Sequence, residues 1–192
     1  MWLFDTCSVI NLSYFAPVGT LIRDRYRHRS GWVQAVHAEL LDQRAKRPPH
    51  PQAGRAANYA STWLGRPIVL DDPADAEAVE AIRTAIAAGG GDSELDHLGE
   101  AASIHALLKH AEIWGPSRLI SDDRGARDEA RRRGVAAAST VAVIARLLAV
   151  TPDPPLTPAT ADAYLDTLRR NERMRAQLTS AHLLAGDLQS WG

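Results

Sequence analysis

Cysteine and lysine are scarce in this chain, and long apolar runs are missing. The single cysteine, Cys7, excludes an internal disulfide framework and a zinc site built from cysteines. No apolar stretch reaches the roughly 18 residues that a membrane span needs. Met1 leads directly into an apolar segment without a basic region before it, which argues against a secretory signal. These absences predict a cytoplasmic protein without membrane contact.

The charges nearly balance, and the cations are almost all arginine. The formal net charge is −1 over 192 residues, so the whole chain exerts no bulk attraction on nucleic acid. The arginines cluster at 23–29, 127–133 and 169–175. A guanidinium group can hold a phosphate through two parallel hydrogen bonds, so each cluster is a candidate phosphate contact. A coding bias, which the alanine-rich composition also indicates, explains the arginine excess equally well.

The order of apolar segments predicts an α/β domain followed by a helical tail. Four short segments are predicted as strands: 2–5, 67–70, 118–121 and 135–138. Helices are predicted around them: about 8–15, two that flank Ser30-Gly31, 53–64, 74–88, 97–112, 124–133 and 141–149. Because strands that alternate with helices pair in parallel, we expect a layered α/β/α domain over 1–150 with a mostly parallel sheet of four to five strands. Residues 151–192 are predicted as a Pro-rich linker and a helical tail.

Acidic residues stand beside several of these apolar segments. Asp5 follows the first predicted strand and Asp122-Asp123 follow the third, while Glu39 and Glu100 lie on apolar helices. Sites in parallel sheets form outside the carboxyl ends of the strands, so we expect these acids to converge. Clustered carboxylates repel one another unless a cation is present, and their oxygens suit Mg²⁺ or Mn²⁺. The pattern therefore predicts a divalent-metal site, which can hydrolyse a phosphodiester without a nucleophilic side chain.

Four short motifs resemble those of the PIN-domain ribonuclease family, in the order in which that family carries them. They are Asp5-Thr-Cys-Ser-Val-Ile-Asn-Leu12, Ala38-Glu-Leu40, Leu98-Gly-Glu-Ala101, and Leu119-Ile-Ser-Asp-Asp-Arg124 followed by Gly134-Val135. The resemblance covers roughly residues 1–150 and is to the VapC-type toxins of bacterial toxin–antitoxin pairs. It implies a three-layer PIN-like fold and an endoribonuclease that depends on Mg²⁺ or Mn²⁺. The insertion at 44–66 and the tail make this chain longer than a compact toxin.

The resemblance also assigns roles to the acids. Asp5, Glu39, Glu100 and Asp123 correspond to the catalytic set, with Glu39 acting on the metal directly or through water. Asp5, Glu100, Asp122 and Asp123 correspond to metal ligands, and either member of the Asp122-Asp123 pair could be the closer one. Many family members carry aspartate at the position of Glu100.

Further expectations concern the neighbours of these acids and the partners of the protein. Thr6 is expected to orient Asp5 or a bound water. Arg124 and Arg127 are expected to contact RNA phosphates. RNA is the implied substrate, a small antitoxin protein is the implied partner of a toxin, and the tail allows a homodimer.

Simpler interpretations of the same acids stay open. Asp5 could cap a helix, and so could at least one of Asp122 and Asp123. Glu39 could be an ordinary solvated helical residue, and Glu100 could complement a helix dipole. Asp71-Asp72 also follow a predicted strand, but Asp72 before a proline favours a helix start. A second hypothesis is that the chain has the same fold without catalytic activity, as a PIN-like module that binds RNA or protein.

Overall fold

The computed structural model describes residues 1–26, 28–45, 52–88, 97–149, 156–171 and 178–185. Within these ranges the chain is an α/β protein, as predicted. Its elements in chain order are β1 (Trp2–Phe4), α1 (Thr6–Ser13), α2 (Ala16–Tyr26), β2 (Ser30–Gly31), α3 (Gln34–Ala45), α4 (Ala53–Leu64), α5 (Pro73–Ala87), α6 (Leu98–Lys109), α7 (Ala111–Trp114), β3 (Arg118–Ile120), α8 (Arg124–Arg132), β4 (Ala136–Ala138), α9 (Thr140–Leu148), α10 (Pro158–Arg170) and α11 (Ser180–Leu184).

The strands form one four-stranded sheet in the order β2-β1-β3-β4, and every pairing is parallel. This confirms the predicted parallel sheet. Trp2 stands opposite Ser30 on one side and Arg118 on the other. The ladder continues past the strands, since the Asp5 amide donates to the Ile120 carbonyl at 3.0 Å. All four carboxyl ends therefore meet at one edge, where Asp5 and the residues after β3 lie together.

Two details of the predicted sheet are wrong. The segment 67–70 makes only an isolated parallel bridge between Ile68 and Val33, and it forms no strand. Pro67 lacks an amide hydrogen, which limits what this segment can donate to a ladder. Instead, the second strand along the chain is Ser30–Gly31, whose two small residues carry no apolar alternation. Periodicity alone indicated only a break between helices there.

The first helix also differs from its predicted bounds. It starts at Thr6 rather than near residue 8, because Asp5 itself is the N-cap and accepts from the Ser8 amide at 2.7 Å. Pro17 lies in the first turn of α2, where proline is tolerated, and α1 has already ended at Ser13. The helix predicted over 97–112 ends at Lys109, and the short α7 follows it. The remaining predicted helices of 1–150 match within about two residues, which is the usual uncertainty of helix ends.

The described part of the tail packs on the same chain. Tyr164, Leu165 and Leu168 of α10 are fully buried and belong to the same core as the sheet residues. Helix α11 packs against α9 and α10. Residues 151–155 of the predicted linker lie outside the described residues. No helix within the described ranges has the length and apolar character to cross a bilayer.

Candidate functional site

Asp5 lies at the carboxyl edge of the sheet, and within the described residues only one of its two carboxylate oxygens forms a hydrogen bond. Its Oδ1 caps α1 through the Ser8 amide, and its Oδ2 is buried without a hydrogen-bond partner in the part of the chain that is described. The side chain is 0% exposed. Burial raises the pKa of Asp5 to about 7, and the nearby charge of Asp122 acts in the same direction. Helix capping therefore explains the role of Oδ1 but leaves Oδ2 without a role in the fold.

Glu100 is the second buried acid of the site. It lies in the first turn of α6 and is 7% exposed. Burial raises the pKa of its carboxyl well above the usual range, and the charges of Asp5, Glu39 and Asp123 raise it further. The four predicted catalytic acids therefore share one electrostatic environment, although they are up to 118 positions apart in the chain.

Glu39 is held on both sides by the protein itself. Its Oε1 accepts from the Gly99 amide at 2.7 Å, and its Oε2 accepts from the Thr6 hydroxyl. A Cβ atom on residue 99 would lie 2.8 Å from Oε2 of Glu39 and 3.0 Å from Val36, so this position requires glycine. The Thr6 hydroxyl donates to Glu39 rather than to Asp5, and the alternative expectation, that Thr6 orients a bound water, stays a prediction. Glu39 thus joins α1, α3 and the start of α6.

Asp122 is engaged completely by neighbouring groups. Its Oδ1 accepts from the Thr140 amide at 2.7 Å. Its Oδ2 accepts from the Thr140 hydroxyl at 2.7 Å and from the Asn11 side-chain amide at 2.6 Å. The side chain therefore ties the end of β3 to α1 and to the start of α9, and these contacts do not fit the predicted role as a metal ligand. Sequence reasoning gave no role to Asn11, although it lies in the first motif, and none to Thr140.

Asp123 keeps one oxygen for another partner. Its Oδ1 caps α8 by accepting from the Ala126 amide at 2.6 Å. Within the described ranges, no hydrogen bond reaches its Oδ2. The side chain is half-buried, so the site opens to solvent on this side. Of the adjacent pair, Asp123 is therefore the one that remains available to a ligand.

The two arginines predicted to contact phosphate differ in exposure. Arg124 is exposed, with Asp128 at 3.7 Å as its partner. Arg127 is buried, and its Nη1 donates to the Ser121 carbonyl at 2.9 Å. In this structure the Arg127 guanidinium braces the turn that carries Asp122 and Asp123, and its contact with an RNA phosphate stays a prediction.

The competing acids after residue 70 lie outside this site. Asp72 caps α5 in a capping box with Asp75, as its position before a proline predicts. Asp75 in turn accepts from Lys109 and contacts His105 at 2.7 Å. These carboxylates stabilise the packing of α5 on α6.

The oxygens that remain are suited to a hard divalent cation. They belong to Asp5, Glu100 and Asp123, and Mg²⁺ needs only a few carboxylates because it keeps several waters. The buried, unpartnered Oδ2 of Asp5 is the group whose charge a cation would neutralise. In the side-chain positions of the described residues, no three acidic, histidine or cysteine groups already have the geometry of a metal site. The donor set fits such a cation in its chemistry.

Comparison with protein-family models, with curated proteins and with solved structures finds no match for this chain. The resemblance that the four motifs carry therefore stays an expectation from the sequence.

Proposed function

We propose that this protein is a divalent-metal-dependent endoribonuclease of the PIN type, with a three-layer α/β/α fold. The observation that carries the proposal is the Asp5 carboxyl group, which is buried, has an unpartnered Oδ2 and shares its surroundings with Glu100. A buried carboxylate with one unpartnered oxygen is costly to the fold. A bound cation would remove that cost, which gives a reason for this arrangement.

Each acid has a distinct part in this proposal. Asp5, Glu100 and Asp123 would hold Mg²⁺ or Mn²⁺, which supplies charge neutralisation at the phosphate and lowers the pKa of water. Glu39 fixes the start of α6 and with it Glu100. Asp122 fixes the turn after β3, and the exposed Arg124 can pair with an RNA phosphate beside the site. The chain needs no nucleophile of its own for this reaction.

The role as a toxin rests on the motifs alone. An antitoxin partner follows from that role, whereas the homodimer is inferred from the tail and the cytoplasmic location from the composition, and each stays a prediction. The parallel sheet with helices packed against it supports the PIN-like fold in its general form.

A second candidate is a PIN-like module that binds RNA or protein without turnover. The observation that favours it is the use of carboxylate oxygens inside the protein. Glu39 and Asp122 have both oxygens engaged, and Asp123 has one engaged, so few remain for a metal.

Cleavage by an Asp5→Asn variant separates the two candidates. Asparagine keeps the oxygen that caps α1 and removes the charge, so the variant should fold. We expect Mg²⁺- or Mn²⁺-dependent cleavage of a mixed RNA substrate to fall to the level of a reaction without protein. A Glu77→Gln variant, which removes an exposed charge of α5, should cleave as the wild type does. Equal cleavage by Asp5→Asn and the wild type contradicts the metal mechanism, and RNA binding without cleavage by the wild type favours the binding module.

A further inference from the structure

The edge of the sheet opposite the carboxylates carries a basic and aromatic surface, called here the basic edge. It is formed by Trp2, Arg25, Tyr26, His28, Arg29 and Arg118. Trp2 opens β1 and Arg118 opens β3, and these two residues are register partners. Arg29 directly precedes β2, and its carbonyl accepts from the Trp2 amide at 2.5 Å. The amino ends of the parallel strands thus bring together residues from three separate segments.

An aromatic and cationic stack holds this surface in place. The rings of Trp2 and Tyr26 stack with their centroids 4.5 Å apart and their planes at 25°. The Arg118 guanidinium lies 6.0 Å from the centroid of the Trp2 ring. All three side chains are half-buried, so each is fixed by packing and also reaches solvent. A stack of this kind costs little entropy when a ligand binds, because its members are already ordered.

The positive charges of two arginines beside the stack are not neutralised by acids of the described residues. Arg25 and Arg29 are exposed, and neither forms an ion pair with any residue in the described ranges. Asp24 is the one acid of the segment 23–29, and it pairs with Arg23 at 2.8 Å. An open cleft of about 450 Å³ is lined by residues 23–26, 28 and 29. This excess of positive charge is local, because the whole chain has a net charge of −1.

The basic cluster of α8 provides the contrast. Arg131 pairs with Asp128 at 2.9 Å, and Arg132 pairs with Glu129. Both arginines are exposed, as Arg25 and Arg29 are, but acids of the same helix neutralise them. Similar runs of arginine in the sequence therefore have different electrostatic consequences in the fold.

We propose that the basic edge binds single-stranded nucleic acid, at a site separate from the acidic edge. Unpaired guanidinium groups bind backbone phosphates, and partly exposed aromatic rings stack with unpaired bases. An acidic peptide would satisfy the arginines but leave the aromatic pair unused, which favours the nucleic acid. The proposal goes beyond cleavage, since Trp2 and Asp5 lie at opposite ends of the same short strand and binding here needs no metal.

Fluorescence anisotropy with a labelled single-stranded RNA of about 12 nucleotides tests this site. The buffer contains EDTA, so the outcome does not depend on the acidic edge. We expect an Arg25→Ala/Arg29→Ala double variant to bind about tenfold more weakly than the wild type. Its slope of log affinity against log salt should fall by roughly 1.4, because each lost phosphate contact of a single strand contributes about 0.7.

The matched control is an Arg131→Ala/Arg132→Ala variant, which removes the same charge from the paired cluster. It should keep the wild-type affinity and salt slope, and an Asp5→Asn variant should do the same. Equal binding by the two double variants overturns the proposal. Displacement of the RNA by poly-glutamate at an equal concentration of charge also overturns it, because the surface would then fit an acidic protein segment. Loss of cleavage by the Asp5→Asn variant bears only on the acidic edge.

Discussion

Glu39 accepts a hydrogen bond of 2.7 Å from the backbone amide of Gly99, the residue before Glu100. This bond ties α3 to the first turn of α6 and places Glu100 at the carboxyl edge of the sheet. Because the Thr6 hydroxyl engages the other oxygen, both carboxylate oxygens of Glu39 take part in positioning the site. The close approach also explains why the motif has glycine at residue 99.

Replacement of Gly99 by alanine should damage this contact. The new methyl group would lie 2.8 Å from Glu39 and 3.0 Å from Val36, so backbone or side chains must shift. We expect a loss of about 1–3 kcal/mol in the free energy of unfolding, measured by urea denaturation. Gly54, also the second residue of its helix, is the control, since a methyl group there meets only the flexible Arg44 side chain at 3.1 Å. Unfolding free energies that change equally in the two variants would contradict this explanation.

The adjacent acids Asp122 and Asp123 should respond differently to the same change. Asp122→Asn replaces an acceptor by an NH₂ group that faces the donors of Asn11 and Thr140, so we expect a loss of about 1–3 kcal/mol in stability. Asp123→Asn should keep nearly the wild-type stability, because asparagine caps a helix as well as aspartate does. Thermal melts of both variants in EDTA measure the difference. A larger loss of thermal stability in Asp123→Asn than in Asp122→Asn would contradict the assignment of Asp122 to the fold and of Asp123 to ligand binding.

The local sequence predicted most helices and the existence of the site, and long-range contacts decided the rest. Asp5 and Asp123 follow apolar strands, so their place at one sheet edge follows from parallel topology. The engagement of Asp122 by Asn11 and Thr140 depends on partners 111 and 18 residues away, which no local pattern marks. The short strand Ser30–Gly31 was missed for the same reason, since its pairing with β1 and not its composition makes it a strand.

Asp75 should give the protein an acid-sensitive contact away from the site. Hydrogen bonds from Lys109 and then His105 lower the pKa of Asp75 to about 2, below the value of about 3.9 for an unfolded chain. Its stabilising effect is therefore complete above pH ~4 and is lost as the pH falls toward 2. An Asp75→Asn variant should be less stable than the wild type at pH 7, and its unfolding free energy should fall less steeply between pH 4 and 2. The exposed Glu77→Gln variant should keep the wild-type slope, and a wild-type slope in Asp75→Asn would refute the prediction.

Removal of the Asp5 charge should stabilise the metal-free protein. Burial and the neighbouring Asp122 raise the pKa of Asp5 to about 7, so its ionisation costs stability as the pH rises from about 4 to above 7. At pH 8 in EDTA, we expect the thermal midpoint of Asp5→Asn to exceed that of the wild type by a few degrees. Glu77→Gln should melt at the wild-type temperature. A lower midpoint for Asp5→Asn would show that the carboxylate is a net stabilising group without metal.

The most direct test of the account is the thermal midpoint at pH 7.5 as Mn²⁺ is added to protein cleared of metal with EDTA. A cation that binds the folded acidic edge must raise the midpoint of the wild type with increasing concentration. We predict such a rise for the wild type and for Glu77→Gln, a much smaller one for Asp5→Asn, and a reduced one for Asp123→Asn. A midpoint that Mn²⁺ leaves unchanged in the wild type, or raises equally in Asp5→Asn, would contradict the metal site.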